Sequence, residues 1–207
     1  NQGVVRGREF MHPELRFALQ FPEGWEVQNS PERVVAGESG RSSYMLLQFV
    51  NETGLSLQRI AETEMMEAGF KVEQGIMTDV NGLDAYLGTY SQLVREFGTI
   101  IAKVVYIRLG ASVYMLGAFA SVADYQSIER DVTESLTSFR QLTAREADAI
   151  RPSRISVYVV VEGDTWESLA GQEDTNVVSA STLAIMNGYA LDEEPSPGDR
   201  IKIVVFG

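Results

Sequence analysis

The sequence contains no cysteine, and this absence excludes disulfide bonds, thiolate nucleophiles and zinc sites built on thiolates. It contains a single histidine, His12, so neither an HExxH zinc-protease motif nor any site that needs two imidazoles can form. No apolar run approaches the ~18 residues that a membrane-spanning helix requires, so no transmembrane segment is predicted. Together these absences disfavour most self-contained enzyme classes.

Basic residues are scarce as well. The chain holds 17 lysine and arginine residues against 29 acidic ones, a formal charge of −12. This charge disfavours a nucleic-acid partner, because phosphate binding needs cations clustered on one face. Hydrophobic residues make up 44% of the chain, enough to bury a core. The first residues include neither a methionine nor the apolar stretch of a signal peptide, so we expect a piece of a longer protein.

The first part of the chain has the pattern of an antiparallel sheet. Between Leu15 and Phe21, bulky apolar residues recur at every second position, the period of a half-buried strand. The same reasoning predicts further strands at 33–36, 44–50, 76–79, 85–90, 99–108 and 112–120. Asn81-Gly82 and Gly110-Ala111 are the expected hairpin tips, because asparagine and glycine tolerate a positive φ.

Two segments have helical spacing instead. Apolar residues from Leu57 to Ala68 share one face, Gly69 is placed to end that helix, and a second apolar face runs from Val122 to Phe139. An antiparallel sheet flanked by two amphipathic helices is an α+β architecture. We therefore predict an α+β domain over residues 1–145.

This first domain resembles the PsbP-like fold. The resemblance lies in the opening strand and turn FALQFPEGW (Phe17–Trp25), the hairpin NGLDAY (Asn81–Tyr86) and the terminal stretch SFRQL (Ser138–Leu142). Members of that fold are mostly non-catalytic accessory or binding domains, so the resemblance implies no reaction.

The pattern changes after a polar stretch that we interpret as a helix tail running into a linker at 146–154, with Pro152 near its end. Residues 155–207 then predict a small βααβ domain, with a strand at 155–161, helices at 165–170 and 180–187, and a strand at 200–205.

This second domain resembles a LysM domain. The matching motifs are YVVVEGDTWESLA (Tyr158–Ala170), LAIMNG (Leu183–Gly188) and PGDRIKIV (Pro197–Val204), in the order of the family. Their residues also have local roles: Asp164 or Thr165 can cap the first helix, and Asn187 can bind backbone groups where the second helix ends.

The LysM resemblance implies binding of N-acetylglucosamine-containing glycans, such as peptidoglycan, in a shallow groove between two loops. Carried onto this chain, the glycan-binding residues are Gly163, Asp164, Thr165, Trp166, Asn187, Gly188, Tyr189, Ala190 and Leu191. Trp166 and Tyr189 are candidates to offer apolar faces to a sugar ring. The alternative is that Trp166 fills the small core.

Acidic residues weaken the glycan hypothesis. The stretch 155–207 holds nine acidic residues against two basic ones, a net charge of −7, and the segment 171–181 between the helices is long and acidic. Asp192, Glu193 and Glu194 directly follow the expected groove, where they would repel anionic polymers. A degenerate LysM-like module that contacts proteins, without glycan binding, therefore remains an alternative.

The order of the two domains resembles the tail of secreted bacterial zinc metallopeptidases of the HtpX- and BepA-like group. In that arrangement the catalytic domain lies upstream, so we expect zinc only there and no cofactor, metal or catalytic residue in this chain. The expected location is the bacterial periplasm or cell envelope, with cell-wall glycan or other envelope proteins as partners. His12 matches the opening motif of the resemblance and is interpreted as structural.

Overall fold

The computed structural model describes residues 3–51, 54–96, 98–150, 154–171 and 178–205. The chain divides into two compact units, residues 1–147 and 148–207. Pro152 of the predicted linker and most of the acidic segment 171–181 lie outside the described residues.

Two antiparallel sheets form the first unit. The strands are β1 (Val4–Arg6), β2 (Glu9–His12), β3 (Phe17–Gln20), β4 (Glu26–Asn29), β5 (Arg33–Gly37), β6 (Tyr44–Val50), β7 (Lys71–Val80), β8 (Leu83–Val94), β9 (Gly98–Leu109), β10 (Ser112–Ser121) and β11 (Arg140–Gln141). The large sheet has the order β4-β5-β6-β10-β9-β8-β7, and the small sheet has the order β1-β2-β3-β11. All of these neighbours pair antiparallel, which confirms the predicted α+β class with a mainly antiparallel sheet.

Serine caps fix where the two long helices begin. The helices of this unit are α1 (Leu57–Glu67), α2 (Val122–Thr137) and α3 (Ala144–Ala149), whose last residues extend past position 147. Ser56 Oγ accepts a hydrogen bond from the Arg59 amide at 3.3 Å at the start of α1. Ser121 Oγ accepts from the Asp124 amide at 3.1 Å at the start of α2. Both helices therefore begin where an unpaired backbone donor finds a side-chain oxygen.

Strand β10 carries side chains into two cores, one on each face of the large sheet. On one face, Tyr114 and Leu116 pack in a cluster with Val132 of α2 and with residues of the small sheet. On the other face, Val113 and Met115 pack in a cluster with residues of α1. Burying one large apolar side chain contributes ~2 kcal/mol, so a strand buried on both faces anchors the unit.

The predicted hairpin tip at Asn81-Gly82 is present between β7 and β8. Asn81 and Gly82 have φ values of 51° and 83°, the left-handed conformations that such a turn needs. The Asn81 side-chain amide also donates to the carbonyl oxygens of Thr137 at 2.9 Å and Phe139 at 2.8 Å. This asparagine therefore fastens the hairpin to the end of α2.

The beginning of the first unit differs from the predicted pattern. Residues 17–19 are all buried instead of alternating, and Leu15 is 44% exposed. Ala18 points to the opposite face of β3 from its neighbours and is also buried, at 1% exposed. The short strands β1 and β2 were not predicted.

The stretch after β11 is a capped helix of its own rather than a helix tail. Thr143 Oγ1 accepts from the Glu146 amide at 3.2 Å, and the Glu146 carboxylate accepts from the Thr143 amide at 2.9 Å. This reciprocal pair is a capping box. The hydrogen bonds from Thr143 and from Arg140 lower the pKa of Glu146 to about 2.

The second unit is a two-stranded antiparallel sheet with two short helices. Its elements are β12 (Arg154–Val159), α4 (Trp166–Ala170), α5 (Ala180–Met186) and β13 (Arg200–Val205). Its core is a small apolar cluster that includes Trp166, Leu169, Leu183 and Ile201. A core of this size supplies only ~3–5 kcal/mol of stability.

Candidate functional site

The loop after β12 is closed by Asp164. Its carboxylate oxygen Oδ2 accepts from the Val161 amide at 2.9 Å and from the Tyr158 hydroxyl at 3.0 Å. The hydrogen bond to Asp164 raises the pKa of Tyr158, because it holds the phenol in its neutral form. Gly163 has φ of 94°, a conformation that favours glycine. Asp164 therefore closes the turn and does not cap α4.

Thr165 caps α4 in place of Asp164. Its Oγ1 accepts from the Ser168 amide at 3.0 Å, and its own amide donates to Ser168 Oγ at 2.9 Å. Both hydrogen bonds of a capping box are thus present. Of the two candidates for the cap, the structure selects Thr165.

Trp166 is part of the core of the second unit. It is 3% exposed, and its indole Nε1 donates to the Glu193 carbonyl oxygen at 2.8 Å. The ring meets Tyr189 edge to face, with 5.1 Å between centroids. Of the two roles considered for Trp166, the structure shows the core role, because the indole is enclosed on nearly all sides.

Asn187 links the end of α5 to β13. Its Nδ2 donates to the carbonyl oxygens of Leu183 at 2.9 Å and Lys202 at 2.8 Å, while Oδ1 accepts from the Lys202 amide at 2.6 Å. Gly188 follows with φ of 82°. These two residues of the LAIMNG motif therefore fix the chain direction between helix and strand.

In the loop after α5, which is the second of the two loops, residues 189 and 190 are held by hydrogen bonds and residue 191 is exposed. Tyr189 is half-buried, and its hydroxyl donates to Asp199 Oδ2 at 2.7 Å. This hydrogen bond raises the pKa of Tyr189 and lowers that of Asp199. The Ala190 amide donates to the Glu193 carboxylate at 3.1 Å, and Leu191 is 70% exposed. Leu191 is thus the apolar side chain that this loop presents to solvent.

A groove of about 400 Å³ lies between α4, α5 and the loop after α5. It is lined by Trp166, Glu167, Ser179, Ala180, Ser181, Ala184, Leu191 and Glu194. Of the predicted glycan-binding residues, Trp166 and Leu191 contribute to this lining. The other seven support the two loops or lie outside the lining: Gly163, Asp164, Thr165, Asn187, Gly188, Tyr189 and Ala190.

Several lining residues were not predicted, because they come from three separate segments. Ser179 and Ser181 lie at the start of α5, Glu167 lies in α4, and Glu194 lies beyond the second loop. Glu194 Oε2 accepts from the Trp166 amide at 2.9 Å, a contact across 28 positions of the chain. The sequence shows the acidic run at 192–194, but the contact of Glu194 with the Trp166 amide depends on how α4 and α5 pack.

The lining of the groove combines apolar side chains with hydrogen-bond acceptors. Ala184 and Leu191 supply apolar surface, while Glu167 and Glu194 supply carboxylates. A pyranose ring has apolar C–H faces and hydroxyl donors around its edge, so these two kinds of surface suit a sugar.

No family model matches the sequence, and no curated protein sequence matches it. Among solved structures, the chain is similar to the cyanobacterial PsbP (CyanoP) of Synechocystis, with 13% identity and a TM-score of 0.50. The match covers 67% of this chain and 95% of CyanoP. That share exceeds the whole second unit, so the likeness lies mainly on the first. The first unit has the PsbP-like fold.

A second similar structure is LpqN of Mycobacterium tuberculosis, a protein involved in cell envelope biogenesis, at 13% identity and a TM-score of 0.44. It covers 69% of this chain and 91% of its own. No helix in the described part of the chain combines the length and apolarity that crossing a bilayer requires.

His12 has a structural position in the PsbP-like unit. It is 9% exposed, stacks on Phe17 with 5.7 Å between ring centroids, and accepts a hydrogen bond from the Leu15 amide at its Nδ1, at 3.2 Å. The ring thereby closes the turn between β2 and β3, as its structural interpretation requires.

Proposed function

We propose that this chain is a non-catalytic module of the bacterial cell envelope, in which a LysM-like second unit binds cell-wall glycan containing N-acetylglucosamine. The PsbP-like unit acts as an accessory scaffold or recognition surface. The location in the periplasm or envelope belongs to the same proposal, because amino-sugar polymers lie there.

The observation that carries the proposal is the position of the groove. Trp166 and Leu191, one from each of the two loops that the LysM resemblance names, both line it. The motif residues Thr165 and Asn187 hold those loops through hydrogen bonds of 3.0 and 2.6 Å. The groove is therefore supported by the residues that make the sequence LysM-like.

The finer part of the proposal is that the chain is the tail of a zinc metallopeptidase. Its support is the order of the two domains in the sequence. The proposal assigns the zinc chemistry to an upstream domain, and the single histidine of this chain lies in the PsbP-like unit with its Nδ1 accepting a hydrogen bond. In that arrangement the second unit would hold the peptidase at the cell wall.

One observation favours a second function, the binding of a protein partner. Ile155, Val157 and Val159 alternate along β12 with exposed fractions of 65%, 58% and 52%. Alternate residues of a strand lie on one face, so they form an apolar strip on the sheet of the second unit. Such a strip is typical of a surface that contacts protein.

The test is retention of the purified chain on insoluble peptidoglycan and on chitin, with competition by soluble N-acetylglucosamine oligomers. The Leu191→Ser variant removes the exposed apolar side chain of the groove and should weaken binding roughly fivefold, since ~1 kcal/mol of apolar contact is lost. Ile185→Ser is the matched control, because Ile185 is 65% exposed on α5 and does not line the groove. Equal retention of both variants, or no retention of the parent chain, would leave protein binding as the better proposal.

A further inference from the structure

Glu194 determines which hydrogen-bonding groups the groove offers. Its Oε2 accepts from the Trp166 amide at 2.9 Å, so the first amide of α4 is already satisfied. An incoming acetamide carbonyl could bind that amide only by displacing the carboxylate. The second oxygen, Oε1, makes no hydrogen bond to any other described residue, and Glu194 is one of the residues that line the groove. At this point the groove therefore accepts hydrogen bonds instead of donating them.

The other polar groups of the lining add to this acceptor character. Glu167 contributes a second carboxylate, and its side chain is exposed. Ser179 Oγ accepts from the Thr182 amide at 3.2 Å and lies 2.9 Å from Ser181 Oγ, so the two hydroxyls are already engaged in the cap of α5. Among the described residues, the lining includes no lysine or arginine, so a ligand that brings positive charge would meet complementary charge.

We propose that the groove prefers amino sugars with a free ammonium group, as in glycan from which the N-acetyl groups have been removed, over fully N-acetylated glycan. The proposal rests on the proposed glycan-binding function and names the ligand class of the same groove. The ammonium pairs with Glu194 Oε1 and the Glu167 carboxylate, while Leu191 contacts a C–H face of the ring. A charge-assisted hydrogen bond to a carboxylate is stronger than one between neutral groups, which sets the direction of the preference.

The experiment compares two oligomers of equal length, glucosamine and N-acetylglucosamine, titrated calorimetrically into the full chain at a pH where the amine is protonated. We expect the glucosamine oligomer to bind at least roughly fivefold more tightly at low salt, given the modest strength of exposed ion pairs. The difference should shrink at high salt, because exposed charges are screened.

Two variants assign the preference to the groove. Glu194→Gln keeps an oxygen that can accept from the Trp166 amide, and Glu167→Gln changes an exposed side chain, so both should fold. Each should reduce the preference for glucosamine at least about twofold, and the double variant should abolish it. Glu23→Gln is the matched control, since it removes the same charge from an exposed glutamate of the PsbP-like unit.

The outcomes separate this inference from the proposed function. Tighter binding of the N-acetylated oligomer would overturn the ammonium preference and leave glycan binding standing. Absence of binding by either oligomer would overturn both. Glu23→Gln could also lower the glucosamine preference as much as Glu194→Gln does. That result would show a general attraction of the ammonium groups to the negative chain, and it would refute a preference specific to the groove.

Discussion

Replacing Asn187 with alanine tests whether one side chain holds the second unit together. The change removes three hydrogen bonds, from Nδ2 to the carbonyl oxygens of Leu183 and Lys202, and to Oδ1 from the Lys202 amide. At a net ~1 kcal/mol for each bond, the expected loss is about 2–3 kcal/mol. A unit of this size has only ~3–5 kcal/mol of stability from its core, so Asn187→Ala should leave it close to unfolding.

The assay is urea unfolding followed by tryptophan fluorescence in a Trp25→Phe background, where Trp166 is the remaining tryptophan and reports on the second unit. Asn187→Asp is a second test, because it keeps an oxygen for the Lys202 amide but sets its other carboxylate oxygen against the carbonyl oxygens of Leu183 and Lys202. Its destabilisation should be at least as large as that of the alanine variant. A shift below ~1 kcal/mol for Asn187→Ala would refute the reasoning, and so would equal destabilisation of the PsbP-like unit, monitored by the amide signals of β9 and β10.

Two further predictions concern the PsbP-like unit. Ser121→Ala removes the cap of α2 and should cost ~1 kcal/mol in urea unfolding, whereas Ser127→Ala on the exposed surface of the same helix should cost much less. The pKa of Glu146 lies at about 2, below its usual 4.5, so its stabilising contribution is full above pH 4.5 and is lost as the pH falls toward 2. An NMR titration should place the inflection of the Glu146 side chain near 2; a midpoint near 4.5 would show that the capping box does not form in solution.

The elements that were predicted well are those whose signal is local. Strands β9 and β10 are long and flank a tight turn, and helices α1 and α2 have an apolar face and a serine at the start. Strands β1 and β2 were missed because they have three and four residues and are defined by their pairing with each other and with β3. Pairing across the chain leaves no periodic mark in so short a segment.

In the candidate site, too, the features with local partners were predictable from the sequence and those with distant partners were not. The cap at Thr165 and the helix end at Asn187 were within reach of the sequence, because their partners lie a few positions away or in the next strand of the motif. The orientation of Trp166 was not, since the indole binds the Glu193 carbonyl oxygen 27 positions away. The lining from the start of α5 likewise depends on how α4 and α5 pack.

Two of the three acidic residues at 192–194 accept hydrogen bonds that hold the structure together, which the net charge alone does not reveal. Glu193 accepts from the Trp166 indole through its carbonyl oxygen and from the Ala190 amide through its carboxylate, while Glu194 accepts from the Trp166 amide. Only Asp192 of the three makes no side-chain hydrogen bond to the described residues. Replacing Glu193 or Glu194 with alanine would therefore remove the side-chain acceptor of the Ala190 amide or of the Trp166 amide. The negative charge that Glu194 brings to the groove is thus part of how the groove wall folds.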